Sequence, residues 1–220
     1  MKEKNKLIIA ILTVAIIIGA VVGATYAWWL WTTNTAQQTT VNFTVDPGLT
    51  ASIDGGTITV TKLAPVTSCT NGTYATKAPI TLNYSNKSGA TAVVKGTLTV
   101  TTFTVASGRN SFRTGTDPDL SHLHYALTTS NSSCTTGAIS GATGTFNGKN
   151  TTGSKLIDDA TLKSGITTGT TNGTQSLYLY VWLDKDYTFT NVGTGNSTIK
   201  DPMQDLTIVL TWSGRITNQQ

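Results

Sequence analysis

Charge is scarce in this chain. Of its 220 residues, 15 are Lys or Arg and 11 are Asp or Glu. After the first few residues, no stretch concentrates Lys and Arg, so the usual electrostatic footprint of a nucleic-acid binder is missing. With two histidines and two cysteines, there is little material for a metal centre. No HExxH and no GxSxG occurs, and no Ser/His/Asp set stands out, so a zincin-type peptidase and a serine hydrolase are both unsupported. Long helix-forming stretches are also absent. What is abundant is Thr, Ser, Gly and Asn. Thr and the aromatics favour strands, and Gly and Asn favour turns. The balance is that of an extracellular all-β protein with no catalytic residues, no cofactor and no metal.

The N-terminus sets the expected compartment. Residues 1–6, MKEKNK, place Lys2, Lys4 and Lys6 against Glu3, and residues 7–24, LIIAILTVAIIIGAVVGA, are almost wholly apolar. A basic start, an apolar core and small residues at the end match a secretory signal. Cleavage after Ala27 puts Thr25 at −3 and exposes Trp28. A cut after Ala24 fits less well, because Val22 then takes −3. The 18-residue apolar run is also close to the ~20 residues that span a bilayer, so an uncleaved anchor is the competing reading. Trp28, Trp29 and Trp31 would then form an aromatic belt. The leader carries three basic residues and one acidic one, so the remainder holds 12 and 10, with net charge +2 instead of +4. The basic character therefore resides largely in the leader. The chain divides into a signal peptide (1–27), an extended segment (28–40) and one β-sandwich domain (41–220).

In an oxidising compartment Cys69 and Cys134 are the expected disulfide. The alternative is two loop thiols that never meet. Strand signals recur with turn residues between them. They cover 41–45, 56–63, 78–85, 90–105, 121–129, 176–184 and 205–213. The run 90–105 changes phase after Val100, which predicts a bulge near Thr101–Thr102. The run SLYLYVWLD (176–184) is apolar on both faces and is expected to be central. The spans 106–121 and 130–175 read as mostly loops, with one or two short strands. Seven or more strands without helices predict an antiparallel β-sandwich, jelly-roll-like or immunoglobulin-like.

Several smaller features have a bland and a sharper reading. His122 and His124, as H-x-H, have metal-ligand spacing, but a solvent-facing pair is the simpler account. Asp158–Asp159 and Asp184/Asp186 read as turn residues rather than calcium ligands. Tyr178, Tyr180 and Trp182 share one face of a strand, as a ligand platform or as a surface that loops cover. N-x-S/T occurs eight times, at Asn42, Asn71, Asn83, Asn86, Asn131, Asn150, Asn172 and Asn196.

The leader ending ATYAWW, followed in order by LAPVTSCTNGTYATKAPITLNYSNKSGATAVVKGTLTV, HYALTTSNSSC, YLYVWLDKD and DPMQDLTIVLTWSG, resembles the TasA/camelysin-type exported proteins. A SipW-like signal peptidase processes the leaders of that family. The resemblance is piecewise and covers most of residues 20–214. It implies a jelly-roll-like sandwich, secretion to the cell surface or biofilm matrix, a role in extracellular fibres, and cleavage between Ala27 and Trp28. The metallopeptidase activity attributed to camelysin does not transfer, because no zinc motif is present. Cleavage would free WWLWTTNTAQQTT. Exposed indoles are costly at ~25 cal/mol per Å² of apolar surface, and an extended apolar segment can add to a sheet in a neighbouring molecule. Residues 28–40 are thus expected to act as a donor strand, with Trp28, Trp29, Leu30 and Trp31 making the subunit contact. Folding back as an edge strand of the same domain is the alternative. The expected partners are further copies of the chain and, during export, the signal peptidase. The membrane is met only through the leader. The competing function is a membrane-anchored cell-surface adhesin or binding module, using the 130–175 region or the Tyr178/Tyr180/Trp182 face.

Overall fold

The computed structural model describes residues 40–45, 47–61, 63–70, 72, 74–105, 118–187, 203 and 206–219. The leader, expected as a signal or transmembrane helix, the cleavage position at Ala27 and Trp28, and the contact residues Trp28, Trp29, Leu30 and Trp31 lie outside them. The strands are β1 Val41–Asn42, β2 Thr44–Val45, β3 Leu49–Asp54, β4 Thr57–Val60, β5 Pro65–Val66 and β6 Thr76–Asn86. They continue as β7 Ala92–Thr104, β8 Leu123–Thr128, β9 Ala138–Thr145, β10 Lys155–Ile166, β11 Thr170–Asp184 and β12 Thr207–Asn218. One short 3-10 turn, Pro118–His122, precedes β8.

Alternation of apolar and polar residues gives each strand one face to bury, and two sheets meet over those faces. The larger sheet has seven strands in the order β1-β3-β6-β11-β8-β9, with β5 also on β11. The smaller has five, β10-β7-β12-β2, with β4 also on β12. The chain crosses between the sheets at every connection except β5 to β6 and β8 to β9, which closes the two sheets into one sandwich. All pairings are antiparallel except the two-residue contacts of β5 with β11 and β2 with β12.

The core lies between the sheets. Ile53, Leu82 and Leu179 of the large sheet and Val60, Leu98 and Leu210 of the small one are fully buried. Trp212 is the largest buried side chain. Gly96 leaves room for it: a Cβ there would lie 3.2 Å from the indole and 2.5 Å from Leu162. The phase change in β7 is a bulge. Thr102 pairs with Val209 and Val100 with Leu210, leaving Thr101 unpaired in the ladder. Strand β11 is central, held by β6 on one side and β8 on the other.

The 130–175 span is not mostly loop. It contains β9, β10 and the start of β11. Four register shifts in β10 put Leu156 and Ile157 side by side in the core and turn Asp158 and Asp159 together toward solvent. The two-residue period that marks a strand is broken at each shift, which is why these residues read as loop. Asp158 and Asp159 are accordingly bulge residues within a strand and not turn residues.

Candidate functional site

Two regions gather the side chains singled out above, one on the outer face of the large sheet and one at the rim where the chain joins the sandwich.

On the large sheet, Cys69 and Cys134 are bonded across a sequence separation of 65, with Cα atoms 6.3 Å apart. The bridge clamps two loops over Ala126 of β8 and Tyr180 of β11, forming a small second core outside the main one. Tyr180 has no exposed surface, and its hydroxyl donates to the Ser130 carbonyl at 3.1 Å. Burial first, and the neighbouring Tyr178 second, push its pKa above the usual phenolic value. Thr128 ties the same turn down, donating to the carbonyls of Ser130 and Ser133.

This arrangement breaks up the aromatic face. The middle ring is covered, and the two outer rings are each engaged. The Lys77 ammonium lies 5.9 Å from the Tyr178 ring centre. Trp182 stacks on His124 with centroids 5.2 Å apart and planes 15° from parallel. His124 Nε2 is 3.8 Å from Asp184 Oδ2. Burial lowers the His124 pKa, Asp184 opposes that shift and His122 reinforces it. His122 itself turns to Tyr187, with rings in edge contact at 6.3 Å. The two imidazoles therefore serve different neighbours, and among the described residues no three His, Cys, Asp or Glu side chains converge on a point. Further along the same sheet, a groove of about 350 Å³ is lined by Asn42, Thr50, Ser52, Asn83, Ser85 and Asn172. Asn83 is already committed there, donating to Asp54 Oδ2 at 2.8 Å.

At the rim, five residues bridge both sheets. Val41 and Asn42 pair antiparallel with Ile53 and Ser52 of β3. The Phe43 amide donates to the Ala51 carbonyl at 3.1 Å. Thr44 and Val45 then run parallel to Arg215 and Ile216 of β12. Phe43 is buried over Gly214, where a Cβ would sit 2.8 Å from its ring. Thr40 is fixed to the end of β3, its hydroxyl donating to Asp54 Oδ1 at 2.9 Å. Beside this point the chain turns through Gly55–Gly56 into β4, whose Ile58 and Val60 enter the core. Among the described residues β4 is paired on its β12 side alone. The rim thus carries both the start of the described domain and an unpaired strand edge.

Sequence reasoning missed a polar staple at the opposite rim. Tyr125 of β8 donates to the Leu156 carbonyl of β10, and Lys149 donates to both that carbonyl and the Tyr125 oxygen at 3.1 and 2.9 Å. Gly144 of β9 makes space for the phenol, since a Cβ there would stand 2.9 Å from its oxygen. Tyr125 lies 24 positions from Lys149 and 31 from Leu156, and the sequence carries no local signal of this contact. A scan against protein-family models and searches of curated proteins and of solved structures return no match to this chain.

Proposed function

We propose that this chain is a secreted, non-enzymatic structural subunit that assembles into extracellular filaments or biofilm matrix by donor-strand exchange. The observation that carries the proposal is the rim. Residues 28–39 precede Thr40 and β1, at the edge of the sandwich, and among the described residues β4 has an unpaired edge at that rim. Strand addition gains affinity from backbone hydrogen bonds and specificity from alternate side chains. A segment that leaves one molecule and pairs with a different edge on the next makes a heterologous contact, which propagates instead of closing. The Cys69–Cys134 bond supports an exported protein, since such bonds persist in oxidising compartments. The resemblance to TasA/camelysin-type leaders supports release of Trp28 by a signal peptidase.

The donor segment itself tests the proposal. Replacing Trp28, Trp29 and Trp31 by Ser in the 28–220 protein removes the apolar anchors and leaves the sandwich untouched. Sedimentation velocity should show large assemblies for the parent chain and monomers for the variant, with the same unfolding midpoint. Equal assembly of both would remove the indoles from the contact.

A further inference from the structure

We propose that the outer face of the small sheet binds an acidic polysaccharide, a carboxylate-bearing chain of pyranose rings, through Lys95 and Arg215. The observation is an ion cluster that the fold goes out of its way to build. Lys95 and Arg215 are directly opposite each other on β7 and β12. Like charges in that position repel and destabilise the pair. A single oxygen, Asp159 Oδ2, accepts from both, at 3.1 Å from Lys95 Nζ and 2.9 Å from Arg215 Nη2.

Asp159 reaches that point because of the bulge in β10. Its φ is 51°, the one positive value at a non-glycine position among the described residues. Such a conformation is sparsely populated and marks functional sites more often than ordinary strands. The Asp159 amide is held by donation to Thr97 Oγ1 at 3.1 Å. One carboxylate cannot neutralise two cations, so the cluster keeps a net positive charge.

That charge borders an open groove of about 780 Å³, within the size range of ligand clefts. Besides Lys95 and Arg215 its walls include Thr161, Ser164, Thr217 and Asn218. The chemistry selects the ligand class. Hydroxyl and amide groups match the hydroxyls of a sugar ring. A guanidinium and an ammonium held side by side match a carboxylate, the Arg fork in bidentate fashion. Among the described residues no aromatic side chain lines the groove, and stacking on aromatic rings is what single-stranded nucleic acid uses. Asp159 acts as a spacer that keeps the two cationic heads together when the groove is empty.

The residues of the site are not those of the donor segment, and binding is read per chain whether or not fibres form. The test is biolayer interferometry of the 28–220 protein on immobilised polygalacturonate, with neutral dextran and single-stranded DNA as the other two surfaces. Polygalacturonate should be retained and dextran not, with retention lost in high salt. Lys95→Gln with Arg215→Gln should weaken binding by about tenfold or more, whereas Lys155→Gln, whose exposed ion pair with Asp158 is elsewhere on β10, should not change it. Asp159→Asn keeps a residue that tolerates this backbone and removes the competing carboxylate. It should tighten polygalacturonate binding while lowering the unfolding midpoint, an opposite pair of shifts that a purely structural ion cluster does not produce. Unchanged binding in the double variant, equal retention on dextran, or tighter retention on DNA overturns the proposal.

Discussion

Asn86 shows how much a single buried amide can hold. It is fully buried, and its Nδ2 donates to the Ala90 and Ile166 carbonyls at 2.8 Å each. Its Oδ1 accepts from the amide and hydroxyl of Ser88. The turn between β6 and β7 is thereby fastened to the end of β10. Asn86→Ala takes a buried donor from the Ile166 carbonyl and leaves the exposed Ala90 carbonyl to the Ser88 hydroxyl, and urea unfolding should show a loss of roughly 1–3 kcal/mol at unchanged slope. The same bonds keep this sequon closed to modification in the folded chain, whereas Asn131 and Asn172 are exposed. The disulfide makes a second residue-level prediction. Replacing Cys69 and Cys134 by Ser frees a 65-residue loop and should cost about 4 kcal/mol in the chain-entropy account. Tyr180 fluorescence should also become accessible to quencher, and an unchanged midpoint would contradict the clamp. His124 gives a pH dependence with a definite sign. Its folded-state pKa lies below 6.5 because of burial, so the unfolded chain binds the proton more readily. Stability from the neutral imidazole is present above pH 6.5 and is lost as pH falls through the lowered folded value. His124→Gln should flatten that part of the stability curve.

The rim depends on element-level packing. Gly214 of β12 lets Phe43 seat, and a Cβ there would also stand 2.4 Å from the Lys95 carbonyl, which is backbone and cannot turn away. Gly214→Ala should therefore destabilise by roughly 1–3 kcal/mol and speed proteolysis at Thr40–Val45. A variant with parental midpoint and parental cleavage would mean that Phe43 is not seated by this contact. The strands that keep a clean period, such as β6, β8 and β12, were legible in the sequence, and so was the bulge at Thr101, because a phase change in a long run is visible. Strand β10 was not legible. Its four register shifts scatter Leu156, Ile157, Ala160, Leu162 and Ile166 across any single template. Strand β9 was hidden for a different reason: Ala138–Thr145 is small and mostly polar, and it buries Ala142 alone. The aromatic face of β11 was visible as a pattern. Loop cover was one of its two readings; which loops close over Tyr180 was not legible, because they come from two distant stretches around Cys69 and Cys134. The ion cluster of Lys95, Asp159 and Arg215 is likewise non-local and depends on a bulge that composition cannot reveal.

At the scale of the whole molecule, two sheets share one main apolar core, and the proposed donor-strand contact falls at the N-terminal edge of that sandwich. The short β1 and β2 cover only part of the rim, and β4 is four residues long with one edge unpaired among the described residues. Short edges discourage random pairing between sheets, so the proposed assembly at this place calls for a dedicated segment. The account assigns that role to residues 28–40, with the Trp-rich start as the anchor. The direct test is negative-stain electron microscopy of the protein beginning at Trp28 beside the protein beginning at Val41, both purified in the same buffer. Fibres from the first and dispersed particles from the second are the predicted result. Dispersed particles from both, or fibres from both, would contradict donor-strand assembly through this segment.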